Sequence, residues 1–414
     1  MNDIDTPPFR PPLWLRHPHL QTVWTNWAPR PAAHARMVES ARRETIRVLD
    51  DELLLHWDDV DDPAAPIVIV LHGLTGCARS PMVVGTAALA HDRGFRAGRV
   101  DLRNSTAETP SRQIGHAGRS EDLHAVIAHA TTSWPGAPVG VVGFSLGGNI
   151  AFKGVGEYGD RPPPALQALA GVSVPIDLAD SCRSIDSLGN FHYRWYFLTR
   201  LRANVERRAG RLPELYGRVE APSTWSIRDF DDEVVAPLGG FHGADDYYAR
   251  SSCLPRLPEI RVPSLLIHAA DDPFIPITPY RDPRLTLAPY VQLLETRHGG
   301  HVGFWNARNG ADSTPFWAEH RAVEFLASRL HSLDAYRGLI MISLAFVGFG
   351  LAKTAENHLK QQPGSSFWSE VHHQAEHVAW VGGGYWDMIQ PSFMFMDGGG
   401  YWDMIQPSFM FMVG

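Results

Sequence analysis

Between residues 60 and 330 the chain alternates between short runs of apolar, often β-branched residues and longer stretches where apolar positions recur with helical spacing. Six runs read as strands: Ile67–Leu74 (IVIVLHGL), Phe95–Leu102, Val139–Ser145, Leu166–Val174, Ser264–Ala270 and Val291–Glu295. Most are apolar at nearly every position, as parallel strands buried on both faces must be. Between them, Met82–Asp92, Ser120–Ser133, Gly148–Gly156 and Phe316–Leu330 read as helices. Such alternation predicts a mostly parallel central sheet with helices on both faces. The rhythm breaks from about 176 to 260, a stretch rich in Arg, Trp, Tyr and Asp that reads as an inserted helical cap with loops.

Beyond residue 330 the pattern changes. Seven of the ten methionines lie after residue 340, Gly338 to Ala352 is an apolar run, and the block GGGYWDMIQPSFMFM occurs twice, at 382–396 and 398–412. Two copies are too few for a solenoid, and their letter-for-letter identity is unlike structural repeats. The expected organisation is a domain over 1–330, with its cap around 176–260, followed by an appended tail over 331–414.

Composition narrows the function classes. The chain has 414 residues and a net charge of −8, with no long basic run, so a nucleic-acid binder working through a basic footprint is excluded. Cys77, Cys182 and Cys253 cannot build a disulfide framework and lack metal-type spacing. The opening MNDIDTPPFRPPLW has acids and prolines where a secretory signal needs a basic start and an apolar run, so a cytoplasmic setting is expected. Asp58, Asp59, Asp61 and Asp62 lack calcium-loop spacing and read as a solvated turn, and His372, His373 and His377 read as a polar segment. No metal or cofactor is expected.

The chemical signal is Gly143-Phe144-Ser145-Leu146-Gly147, directly after the apolar run VGVV and before a helix-like stretch. In that strand–turn–helix context G-x-S-x-G is a nucleophile elbow of the α/β-hydrolase fold, and Ser145 is the candidate nucleophile. A serine needs a histidine base oriented by an acid, and in this fold the chain order is Ser, Asp/Glu, His. Asp271 and Asp272 follow the strand SLLIHAA, and His298 and His301 follow VQLLE, so each partner has two candidates. Asp272 is preferred because it opens a D-x-x-x-P turn, and His301 because the preceding glycines let its loop approach the serine. The oxyanion hole is expected from the backbone N–H groups of Leu146, after the nucleophile, and Leu74, in the loop His72-Gly73-Leu74-Thr75-Gly76. Cys77 reads as a small loop residue.

With these motifs the chain resembles the YheT-type α/β-hydrolases. The resemblance spans about residues 8–330 and rests on Pro11-Pro12-Leu13-Trp14-Leu15 with His19-Leu20-Gln21-Thr22, the HGLTG loop with Ser80-Pro81, GFSLGGN, the Phe230-Asp231-Asp232 to Asp246-Tyr247-Tyr248 segment, and GGHVGF at 299–304. Departures are Met82, where the family has an aromatic, and Arg103-Asn104, where it has an Arg-Gly turn. The first is expected to alter the acyl pocket and the second only a turn. The resemblance implies a serine carboxylic esterase using an acyl-enzyme intermediate, with a small-molecule ester as partner and lipid esters implied for eukaryotic relatives. A catalytically silent hydrolase-like scaffold or a membrane-associated protein is the alternative, and the intact Ser/Asp/His set argues against it.

The tail carries a second resemblance. Ser332-Leu333-Asp334-Ala335-Tyr336-Arg337-Gly338 and the apolar run after it resemble the first membrane segment of heparan-α-glucosaminide N-acetyltransferase-type proteins. That implies membrane contact through the tail, although 15 apolar residues fall short of the ~20 that span a bilayer. The exact repeat favours a gene-fusion remnant over a selected anchor.

Overall fold

Side chains along each central strand alternate between two apolar layers. In β3 (Ile67–Leu71), Ile67, Ile69 and Leu71 join one core, while Val68 and Val70 join the other. The computed structural model describes residues 7–217, 225–307, 312–330 and 357–360. Eight strands form one sheet: β1 (Arg42–Val48), β2 (Asp51–Asp58), β3, β4 (Arg96–Asp101), β5 (Val139–Phe144), β6 (Leu166–Val172), β7 (Ser264–Ala269) and β8 (Val291–Thr296). Their order is β1-β2-β4-β3-β5-β6-β7-β8. The β1–β2 and β2–β4 pairings are antiparallel, and every pairing from β4 to β8 is parallel.

Two short helices, α1 (Pro18–Trp27) and α2 (Ala32–Ser40), precede the sheet. On one face lies α3 (Pro81–His91), and on the other lie α4 (Ser120–Ser133) and α5 (Leu146–Glu157). Between β6 and β7 the chain leaves the sheet to build the cap from α6 (Leu178–Ile185), α7 (Phe191–Arg211) and α8 (Ala244–Ser251), with its own cluster around Leu198, Phe230 and Tyr247. The last described core helix, α9 (Trp317–Leu330), packs beside α3. This is an α/β-hydrolase arrangement, with the mostly parallel sheet and two helical layers that the alternation predicted and helices inserted between β6 and β7.

The differences are physical. The expected strand ends after Leu71 in β3, Phe144 in β5 and Val172 in β6 instead leave the sheet, and nearby Thr75, Ser145 and Ser173 are all at positive φ. The β1–β2 hairpin has no counterpart in the expected elements. Half of β2 faces a polar layer: His56 bonds Asp101 (2.9 Å) and Asp58 is gripped by Arg99 through two contacts (2.7 and 2.9 Å). Asp58 is therefore a buried ion-pair partner, not part of a solvated turn. Asp59 lies nearer the surface and pairs with Arg42 and Arg96.

The chain divides into two units, Met1–His331 and Ser332–Gly414. The expectations for the tail (the apolar run, the duplicated block, the histidine trio and the second resemblance) lie outside the described residues. No helix among the described residues is long and apolar enough to cross a membrane.

Candidate active site

Ser145 sits between β5 and α5 at φ 49 and ψ −120, a strained geometry for a residue with a side chain. The turn closes only because its neighbours are glycines. A Cβ on Gly143 would lie 2.5 Å from the Gly148 Cα, and one on Gly147 would lie 2.4 Å from the His72 carbonyl oxygen. The serine side chain is thereby held at the C-terminal edge of the sheet, at the N-terminus of α5.

The two candidate pairs occupy different places around Ser145. His301 Nε2 is 3.0 Å from Ser145 Oγ, and His301 Nδ1 is 2.9 Å from Asp272 Oδ2. The other oxygen of Asp272 accepts the N–H groups of Phe274 (2.8 Å) and Ile275 (3.0 Å), and its side chain is fully buried. A carboxylate that accepts on both oxygens puts the imidazole proton on Nδ1 and leaves the Nε2 lone pair facing the serine hydroxyl. The remaining candidates pair with each other: His298 Nδ1 lies 3.2 Å from Asp271 Oδ2, and Asp271 Oδ1 accepts the Gly300 N–H (2.9 Å). Asp271 and His298 thus tie down the glycine turn ahead of His301.

Residues from far along the chain brace that turn. Thr22 Oγ1, on α1, accepts the His301 N–H (2.9 Å), and Ser173 Oγ accepts the Val302 N–H (3.0 Å). Gln21 bonds both the N–H (2.8 Å) and the carbonyl (3.1 Å) of Trp305. In the sequence His19-Leu20-Gln21-Thr22 stands as a motif without a visible role. The sequence offers only two adjacent polar residues between Leu20 and Val23, and their burial in α1 appears only in the fold.

The loop after β3 passes directly over Ser145, since a Cβ on Gly73 would be 3.1 Å from the Ser145 Cβ. The buried His72 accepts the Leu102 N–H at Nε2 (3.1 Å), so its proton is on Nδ1, which donates to the Gly73 carbonyl (2.8 Å). Burial lowers the His72 pKa and keeps the ring neutral for both roles. The Gly76 N–H donates to the same carbonyl (3.0 Å). Because carbonyl and amide point oppositely across a trans peptide, the Leu74 N–H faces away from His72. Leu146, the first residue of α5, has an N–H with no acceptor within its helix. Leu74 and Leu146 line the same cavity as Ser145.

That cavity, about 390 Å³, lies between sheet and cap. Ile114, Leu178, Phe197, Leu201 and Phe230 give it an apolar wall, while Arg103, Asn104, Arg119 and Tyr216 line its polar parts. Arg103 grips Asp122 (2.6 and 2.9 Å) and Asp51 (3.1 Å). Burial still pushes the Asp122 carboxyl up to about 6. Asp231, another lining residue, accepts the Tyr248 hydroxyl (2.7 Å), yet burial raises it to about 7. Asn104 is not confined to a turn. At φ 62 it fills a left-handed position that Asn tolerates, and its amide donates to Tyr216 at the cavity wall (3.0 Å). Met82, expected at the acyl pocket, instead packs against the core of α3 and α9 and is not among the cavity-lining residues. Asp312, His320 and Glu324 come within 4.8 Å of one another, but Arg321 pairs with both carboxylates, so the group reads as an ion-pair network.

A family described as alpha/beta hydrolase fold matches residues 66–307. Among curated proteins, the putative esterase YheT of Escherichia coli is 33% identical over 64% of this chain and 78% of its own length. Phospholipase ABHD3 of Mus musculus is 28% identical over 73% of this chain and 74% of its own. A monoacylglycerol lipase of Saccharomyces cerevisiae is 31% identical over 60% of this chain and 57% of its own.

Proposed function

The chain belongs to the α/β-hydrolase family, and on that premise we propose that it is a serine hydrolase that cleaves carboxylic esters through Ser145, His301 and Asp272. The observation that carries this reading is the Asp272–His301–Ser145 hydrogen-bond chain at the floor of a largely apolar cavity. The names of the similar proteins (an esterase, a phospholipase and a lipase) point the same way.

In this mechanism Ser145 Oγ attacks the ester carbonyl carbon while its proton passes to His301 Nε2. Asp272 holds the imidazole in orientation and stabilises the imidazolium. The oxyanion of the tetrahedral intermediate is received by the N–H groups of Leu74 and Leu146, donors set before reaction begins. Collapse expels the alcohol, which takes its proton from His301, and leaves an acyl group on Ser145. Water activated by the now neutral His301 then releases the acid. The apolar wall of Ile114, Phe197 and Leu201 suits an acyl chain, so a lipid-like ester is the favoured substrate class. Every residue given a role in this mechanism lies within residues 1–330.

The test is turnover of p-nitrophenyl esters of increasing acyl length by the purified full chain. Activity that rises with chain length to an optimum and vanishes in Ser145→Ala supports the reading. Inactivity across the series would leave the scaffold alternative standing.

A further inference from the structure

Helix α1 is inverted. It buries Gln21 and Thr22, which are committed to the His301–Trp305 segment, and Thr25, which bonds back to its own helix, and exposes Leu20, Val23 and Trp27 (82% exposed) along one stripe. Leu13 and Trp14, just ahead of it, are also exposed. A second stripe with the same i, i+3, i+7 spacing runs from Leu188 (88% exposed) through Phe191 to Trp195 (63%), with Tyr196 beside it. The stripes are neighbours: the His19 ring stacks on Tyr193 (5.6 Å between centroids) and its Nδ1 is 3.1 Å from the Tyr193 hydroxyl. Scattered exposed apolar residues need no explanation, but two adjoining ordered stripes do.

The charge beside these stripes identifies the partner. On helix α7, Arg200, Arg207 and Arg211 are exposed against one exposed acid, Glu206, in a chain of net charge −8, whereas Arg208 is buried on the Ser111 and Thr109 carbonyls. Among the described residues none of the three exposed arginines pairs with a carboxylate. Exposed Trp, Tyr and Phe beside uncompensated Arg fit the headgroup boundary of an anionic bilayer, where rings sit partly in lipid and guanidinium groups meet phosphate. The same helix presents Phe197 and Leu201 to the cavity, and α1 holds His301, so a bilayer on this face would lie against the walls of the site.

We propose that the α1–α7 face is a peripheral docking surface for a bilayer bearing anionic headgroups, from which a lipid ester enters the cavity. The direction of substrate flow rests on the esterase reading; the docking itself does not. The experiment is flotation of the full chain with vesicles of phosphatidylcholine alone and of phosphatidylcholine mixed with phosphatidylserine, at low and high salt. Wild-type and the pairs Leu188→Glu/Trp195→Glu and Leu20→Glu/Trp27→Glu are compared, with turnover of a water-soluble ester as the check on folding.

Wild-type should float with the mixed vesicles, less so at high salt, and each pair should partition roughly tenfold more weakly or worse with soluble-ester turnover kept. Wild-type that stays unbound, or pairs that float as well as wild-type, would overturn the proposal; so would a vesicle-free dimer that the pairs dissociate, which would assign the face to a second copy. Wild-type that floats but cleaves no ester would leave docking intact and defeat the esterase reading instead.

Discussion

Thr22→Val tests whether α1 belongs to the catalytic apparatus. Valine has nearly the shape of threonine, so the helix keeps its packing while two hydrogen bonds disappear. Thr22 Oγ1 accepts the His301 N–H at 2.9 Å and donates to the Pro18 carbonyl at 2.9 Å. The Pro18 carbonyl stays within its helix, so its loss is small. The His301 N–H loses its acceptor next to a residue that is only 5% exposed, where water cannot readily replace it. An orphaned buried N–H costs about 1–3 kcal/mol. The turn cannot relax far, because a Cβ on Gly300 would already lie 2.4 Å from the Pro18 carbonyl oxygen and Val302 is pinned to Ser173. Relaxation that does occur displaces the imidazole relative to Ser145. If most of the cost appears at the transition state, kcat/KM on a soluble p-nitrophenyl ester falls roughly ten- to hundredfold. The loss should fall on kcat with KM unchanged, since Thr22 is not among the cavity-lining residues. Thr22→Ser keeps the oxygen and should restore most of the rate. A Thr22→Val variant within about twofold of wild-type in kcat/KM, with an unchanged Tm, would refute the reasoning, as would Thr22→Ser being equally defective.

Three further outcomes are expected. His301→Ala should lose ~10³-fold or more in kcat, whereas His298→Ala, whose ring bonds only Asp271 at the edge of the site, should stay within about tenfold; a dead His298→Ala would put the base on the wrong turn. His268, buried in β7 against Tyr280 with neither ring nitrogen hydrogen-bonded, has its pKa pushed down by burial to about 4. Between about pH 6.5 and 4 the unfolded chain then binds a proton that the folded one does not, so stability falls by up to about 3 kcal/mol as pH drops through that window. His268→Phe should flatten the decline of Tm with acidification, and an unchanged slope would count against it. A chain ending at Leu333 should keep kcat/KM on a water-soluble ester, and loss of activity would make the tail part of the hydrolase.

The elbow was legible because its chemistry and its steric needs occupy five consecutive residues, Gly143 to Gly147, directly after a strand apolar on both faces. The parallel strands were legible for the same reason. Asp271 against Asp272 and His298 against His301 could not be separated from sequence with the same security, since adjacent residues share a loop and only the fold decides which side chain turns inward. The β1–β2 hairpin was hidden because its inward polar residues, His56 and Asp58, are satisfied by Asp101 and Arg99, partners more than forty positions away. Thr22 and Gln21 escaped for the same reason: their partners lie 279 and 284 positions along the chain. The cap signature has a similar explanation, with Asp231 accepting from Tyr248 and Asp232 from the Ala244 N–H.

The central claim is that Ser145 is a nucleophile activated by His301. Reaction of the purified full chain with a fluorophosphonate, followed by intact mass and peptide mapping, tests it most directly. The account predicts one phosphonyl adduct on the peptide that contains Ser145, absent in Ser145→Ala and strongly slowed in His301→Ala. Labelling that persists in Ser145→Ala, or maps to another residue, would contradict it.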